Sequence, residues 1–130
     1  MPGELLIDTN IVIASFKGQQ SILNRLAAAT EIYVSTISVG ELIYGALKSA
    51  NQTGNLDRIQ QWFATAVVLP CDTDTARCYS GIKHELQQKG RPIPDNDLWI
   101  AASAIQHNLL LLTCDRHFAE ISQLRVEICR

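Results

Sequence analysis

The sequence predicts an α/β fold, a three-layer α/β/α sandwich around a mostly parallel central sheet. Short apolar runs alternate with segments of helical periodicity along the whole chain. The apolar runs do not alternate with polar residues, which is typical of strands covered on both faces. Helical segments between successive strands imply parallel pairing. At 130 residues, we expect one domain over residues 1–130.

Five strands are expected where short apolar runs meet polar or turn-forming residues. Asp8 closes the first of these runs and Pro70 stops the third. The run at 109–113 is the most apolar of the five. The predicted strands are 4–7, 32–35, 67–69, 109–113 and 125–129.

Six helices are expected between the strands. In the fourth, Leu56, Ile59 and Phe63 recur at turn spacing and form one apolar face. Gly90 follows the fifth at a position where helices end, and Pro94 suits the first turn of the sixth. The predicted helices are 10–16, 20–29, 36–50, 55–66, 72–89 and 94–108.

Composition and charge exclude several classes of protein. Apolar residues make up 47% of the chain, which suits a globular core. The net charge of −2 gives no general basic field of the kind that attracts nucleic acid. No signal peptide or apolar run of membrane-spanning length is present, so we expect a cytoplasmic protein without membrane contact. The four cysteines lack metal-site spacing and are expected to be free thiols.

Four acidic residues from distant parts of the chain are expected at one edge of the sheet. Asp8 closes the first predicted strand, and Asp115 lies two residues beyond the fourth. Glu41 and Asp97 lie in early turns of helices that follow strands. Because the carboxyl ends of parallel strands share one edge, where ligands bind in such sheets, the four acids should converge in a crevice there.

Clustered carboxylates repel one another unless a cation or protons neutralise them. A donor set of oxygen atoms alone suits Mg²⁺ or Mn²⁺ better than zinc, and such a site suits hydrolysis of phosphodiester bonds. Purely structural roles stay open: Asp8 as a helix cap, Asp115 as a turn residue, and Glu41 in a capping box with Ser38. Asp95 lies two positions before Asp97 and cannot face the same site, so we assign it the capping role.

Four segments resemble, in order, the motifs of PIN-domain ribonucleases. The similarity covers nearly the whole chain, and the size is similar to that of VapC-type toxins of bacterial toxin–antitoxin pairs. Four motifs at the expected separations are specific, whereas a single DTN tripeptide would be weak. The matching segments are 6–11 (LIDTNI), 37–45 (ISVGELIYG), 96–102 (NDLWIAA) and 112–118 (LTCDRHF).

The resemblance implies a PIN-like domain that hydrolyses RNA with Mg²⁺ or Mn²⁺ and blocks translation by cleaving tRNA or rRNA. It further implies a homodimer inhibited by a cognate antitoxin protein. Asn10 and Thr113 match catalytic-site polar positions that orient ligands near the metals. The implied metal ligands, which are also the catalytic acids, are Asp8, Glu41, Asp97 and Asp115.

Some basic and aromatic residues are expected to contact RNA or the antitoxin. Arg91 and Arg116 flank the last two acidic motifs and are candidates for phosphate contacts. No catalytic role is expected for His117, because a metal centre needs no separate base. An apolar groove for an antitoxin helix is expected from exposed residues of two helices, either one of Trp62 and Phe63 or Tyr44 with Leu47.

Other functions are weighed against this one. A signalling receiver domain also binds Mg²⁺ with acids at strand ends, but it needs an acidic pair after the first strand. A haloacid-dehalogenase-like phosphatase needs a second Asp where Asn10 stands. A PIN-like binding module without catalysis would not need all four acids. A PIN-domain nuclease that processes RNA outside a toxin–antitoxin pair also stays open.

Overall fold

A computed structural model of the protein describes residues 3–129, so residues 1, 2 and 130 of the predicted domain lie outside it. Its centre is a five-stranded sheet in the order β3-β2-β1-β4-β5, and all four strand pairs are parallel. The predicted α/β sandwich is thereby confirmed, with a sheet that is parallel throughout. The strands are β1 (Glu4–Ile7), β2 (Glu31–Ser35), β3 (Val67–Leu69), β4 (Leu110–Thr113) and β5 (Val126–Ile128).

Six α-helices cover the sheet, and their ends follow local hydrogen bonds. The fourth begins at Gln52, three residues earlier than expected, because Asn51 Oδ1 accepts a hydrogen bond from Gly54 N. A 3₁₀ helix over Arg116–Glu120, which was not expected, follows β4. No helix within residues 3–129 is long and apolar enough to cross a membrane. The helices are α1 (Thr9–Phe16), α2 (Gln20–Ala27), α3 (Thr36–Lys48), α4 (Gln52–Phe63), α5 (Thr73–Gln88) and α6 (Asp95–Gln106).

Two apolar layers hold the helices against the sheet. Leu6 and Leu111 face the layer formed with α5 and α6, and Leu5 and Leu112 face the layer formed with α1, α3 and α4. All four side chains are fully buried. Apolar residues are therefore required on both faces of β1 and β4, which explains their uninterrupted runs. This central pair fixes the edge on which Asp8 and Thr113 lie.

Candidate metal centre

Asp8 lies where β1 ends, beside the end of β4. Ile7 is in register with Leu112, and Asp8 N donates to Leu112 O at 3.0 Å. Asp8 is 4% exposed, and donors surround its carboxylate. Thr113 Oγ1 donates to Oδ2 at 2.7 Å, Asn10 Nδ2 donates to Oδ2 at 3.2 Å, and Thr9 N donates to Oδ1 at 2.8 Å. Asp8 therefore caps α1, which confirms the alternative of a helix cap. It also lies in the predicted crevice.

The charge on Asp8 is unfavourable where it lies. Burial raises the pKa of this carboxyl, and the negative charges of Asp97 and Glu41 raise it further. Hydrogen bonds from Thr113 and Thr9 act in the opposite direction but do not cancel the effect. A positive group next to Asp8 would offset this unfavourable charge.

Glu41 reaches the same crevice from α3. Thr9 Oγ1 donates to Glu41 Oε1 at 2.6 Å, and Asn96 Nδ2 lies 3.4 Å from Oε2. Ser35 caps α3 by accepting from Ile37 N at 3.1 Å. The alternative of a capping box between Ser38 and Glu41 is therefore wrong.

Asp97 and Asp115 meet across an imidazole ring. His117 Nε2 lies 2.8 Å from Asp97 Oδ2, and His117 Nδ1 lies 3.0 Å from Asp115 Oδ1. Burial raises the pKa of Asp97, and the charges of Asp115 and Glu41 raise it too, while His117 lowers it. Asp115 N donates to Thr113 Oγ1 at 3.0 Å, which ties this part of the site to Asp8. The structure thus brings all four predicted acids to one edge.

His117 is the residue of the site that sequence reasoning missed. One of its ring nitrogens contacts Asp97, and the other contacts Asp115. One potential ligand atom from each of Asp97, Asp115 and His117 lies within 4.8 Å of the other two. An imidazole nitrogen therefore lies among the atoms that could hold a metal ion, beside the carboxylate oxygens that the sequence predicts. The available signal was its position two residues after Asp115, within the turn that this aspartate caps.

The predicted role of Asp95 differs from what the structure shows. Pro94 is the cap residue of α6, and Asp95 Oδ1 instead accepts from Tyr79 Oη at 3.1 Å and from Lys83 Nζ at 3.2 Å. The capping role assigned to Asp95 is therefore wrong. Arg91 Nε lies 3.3 Å from Glu120 Oε1, and the predicted contact of Arg91 with phosphate stays a prediction.

The chain matches the model of the PIN domain family over residues 5–124. It is 36% identical over 125 residues to ribonuclease VapC2 of Haemophilus influenzae, covering 94% of this chain and 95% of that protein. It is 33% identical over 127 residues to the tRNA(fMet)-specific endonuclease VapC of Salmonella typhimurium, covering 95% and 96%. The receiver and phosphatase alternatives are therefore set aside.

Solved structures show the same likeness. The crystal structure of VapBC2 from Rickettsia felis bound to a promoter DNA fragment superimposes with a TM-score of 0.90 at 29% identity, over 98% of this chain and 99% of that one. DNA-bound VapBC from Salmonella typhimurium also gives 0.90, at 32% identity over 96% and 97%. The resemblance seen in the four motifs is confirmed, and the chain belongs to the PIN domain family, among the VapC ribonucleases.

Proposed function

We propose that this chain is a divalent-metal-dependent endoribonuclease that acts as the toxin of a toxin–antitoxin pair. The observation that carries the proposal is the crowding of Asp8, Glu41, Asp97 and Asp115, whose one basic neighbour among the described residues is His117. Within residues 3–129, the ion pairs of Lys and Arg all go to other acids. A cluster of this kind binds a cation more favourably than it remains bare.

The four acids are the groups that would hold Mg²⁺ or Mn²⁺. Such an ion supplies stabilisation of the charge that develops on phosphoryl oxygens during hydrolysis. Thr113 and Asn10 both donate to Asp8 Oδ2, and Thr9 Oγ1 donates to Glu41 Oε1. These donors orient the carboxylates before substrate arrives, so little rearrangement is needed on binding.

The biological role rests on the relatives. The Salmonella relative is named for tRNA(fMet), and the similar solved structures are VapBC complexes, so we propose tRNA or rRNA as substrate and a small antitoxin as partner. A homodimer and a cytoplasmic location complete the proposal, as expected for toxins of this type. Arg116 flanks Asp115 and is a candidate for contact with the RNA backbone.

The first experiment compares RNA cleavage by the wild type, Asp97→Asn and Asp57→Asn. Asp57 is an exposed acid of α4 and serves as the matched control. With Mg²⁺ or Mn²⁺ we expect cleavage by the wild type and Asp57→Asn, and a loss of about 1,000-fold in Asp97→Asn, equivalent to several kcal/mol of transition-state stabilisation. Cleavage that persists in EDTA, or in Asp97→Asn, contradicts the proposal.

Expression of the same variants separates a toxin from a nuclease that processes RNA. A toxin arrests growth when produced without its antitoxin, and Asp97→Asn relieves the arrest. Cleavage in vitro without any growth arrest would favour the RNA-processing alternative.

A further inference from the structure

A cavity of about 330 Å³ opens on α3 next to the acidic site. Glu41 and Asn96, which meet at 3.4 Å, line both the cavity and the acidic site. The volume lies within the range of small-ligand pockets. The remaining lining residues are Thr36, Ile37, Gly40 and Tyr44.

Gly40 forms part of this cavity although nothing in the protein requires a glycine there. It lies inside α3, where glycine disfavours the helix relative to alanine. Its backbone is not left-handed, and within residues 3–129 no atom apart from its chain neighbours and its own helix backbone lies within 4 Å of where a Cβ would stand. The open space beside Gly40 leaves room for a ligand of the cavity to approach the helix backbone closely.

Tyr44 stands one turn further along the same face of α3. It is 61% exposed, more than any other large apolar or aromatic side chain described as exposed. Tyr44 also lines the cavity, and Lys48 Nζ lies 4.7 Å from its ring centroid. An exposed aromatic ring beside an ammonium group is suited to a stacked base that carries a phosphate.

We propose that this cavity, the α3 cavity, binds one unpaired nucleobase of the RNA next to the scissile phosphate, with the base stacked on Tyr44 over Gly40. This inference rests on the proposed ribonuclease function and adds a specificity subsite to it. Asn96 and Thr36 offer an amide and a hydroxyl to the edge of the base, which is how proteins read single-stranded RNA. Because Glu41 lines both the subsite and the acidic site, one RNA strand can place a base in the subsite and the adjacent phosphate at the acids.

The first test uses Gly40→Ala with Gly81→Ala as its control. Gly81 is also an exposed helical glycine with no contacts within 4 Å among the described residues, but it lies on α5, away from the α3 cavity. Both variants should melt at a higher temperature, because alanine favours the helix. Only Gly40→Ala should bind RNA more weakly, because its methyl group occupies the floor of the subsite. Equal RNA affinity in the two variants overturns the proposal.

The second test measures stacking directly. We combine Tyr44→Leu, Tyr44→Phe and Leu47→Ala each with Asp97→Asn, so that no variant cleaves, and titrate them with a short fluorescein-labelled single-stranded RNA. Tyr44→Leu should weaken binding about 5- to 150-fold, the range for loss of one base–aromatic stack. Tyr44→Phe keeps the ring and should bind normally. Leu47→Ala removes a 49% exposed side chain of the same helix and should also bind normally.

Substrate changes identify the stacked base. We use a series of RNAs that each lack one base. When the missing base is the stacked one, proteins with Tyr or Leu at residue 44 should bind the RNA with equal affinity. If no position does so, or if Tyr44→Leu changes the mass of the protein measured by light scattering, Tyr44 serves another purpose and the proposal is overturned. Because binding is measured without cleavage, a protein that cuts no RNA but shows this pattern retains the subsite and loses only the nuclease proposal.

Discussion

Acidic side chains have different partners at the carboxyl edge of the sheet and on the rest of the surface. Away from the site, Glu127 lies 2.8 Å from Arg25, and Glu85 lies 2.9 Å from Lys89. At the edge, Asp8 receives hydrogen bonds from a threonine hydroxyl and an amide. Among residues 3–129, the one ion-pair partner of Asp97 is the imidazole of His117. The charges of Glu127 and Glu85 are neutralised by basic side chains of the same chain. The carboxylates of Asp8 and Asp97 are held in place by hydrogen bonds, but no Lys or Arg among the described residues neutralises them.

The pKa values express the same contrast. Hydrogen bonds from Arg25 and from Lys89 lower the pKa of Glu127 and of Glu85, respectively. Burial and neighbouring acids raise the pKa of Asp8 and of Asp97. A raised pKa means that the ionised form of the carboxyl destabilises the fold. A cation bound at the site would offset this unfavourable charge.

The largest expected effect is stabilisation by the metal. At a Mn²⁺ concentration 100 times its Kd, the wild type should gain about 2.7 kcal/mol in the free energy of unfolding. Asp97→Asn should lose most of this gain, and in EDTA it should melt above the wild type because one unfavourable charge is gone. Thermal melts with and without Mn²⁺ measure both effects. Glu127→Gln is the control, and an equal loss of the gain there would erase the contrast between the two groups of acids.

The next effect concerns the donors that orient the site. Thr113→Val removes a buried hydroxyl that donates to Asp8 and accepts from Asp115 N. We expect a loss of about 1–3 kcal/mol in denaturant unfolding, together with loss of cleavage, because a buried carboxylate then lacks a donor. Thr65→Val, which removes an exposed hydroxyl bonded to Trp62 O, should change stability by less than about 0.5 kcal/mol. Comparable losses in both variants would contradict the role of Thr113.

The smallest effect is the acid dependence of a cap outside the site. Hydrogen bonds from Thr75 N and from Gln106 lower the pKa of Asp72, which caps α5. Its contribution is complete above the ordinary aspartate pKa of about 3.9 and disappears as the pH falls through the lower folded value. Asp72→Ala should therefore lower Tm by a few degrees at neutral pH, and the difference should vanish under strong acid. Asp72→Asn should show no such pH dependence, and a constant Asp72→Ala difference at all pH values would refute this assignment.

Much of the fold follows from the sequence because both faces of the central strands are buried. The bounds of β1 and β3 agree with the apolar runs, and the convergence of the acids follows from parallel pairing of β1 and β4. The ends of helices are harder to predict from the sequence, because they depend on hydrogen bonds at the caps. The expected helix over 55–66 begins at its Asn51 cap and ends at Phe63, after which Thr65 N turns back to Trp62 O.

The parts of the site that could not be predicted depend on contacts between distant segments. His117 joins Asp97 to Asp115 only because a 3₁₀ turn follows β4. Asp95 was assigned to a cap from local sequence, but Tyr79 and Lys83 of α5 hold its carboxylate instead. Local patterns give residue types and spacing, whereas these partners are determined by how α5 and the turn pack against α6.

The hydrogen bond between Asp8 and Thr113 joins residues 105 positions apart in the chain. During synthesis at about 5–20 residues per second, Asp8 is made roughly 5–20 s before its partner. Throughout that interval β1 lacks one of its two neighbouring strands, and Asp97, Asp115 and His117 are absent or not yet assembled. The nascent chain therefore has no complete acidic site until His117 has been made and the segments around β4 have joined β1.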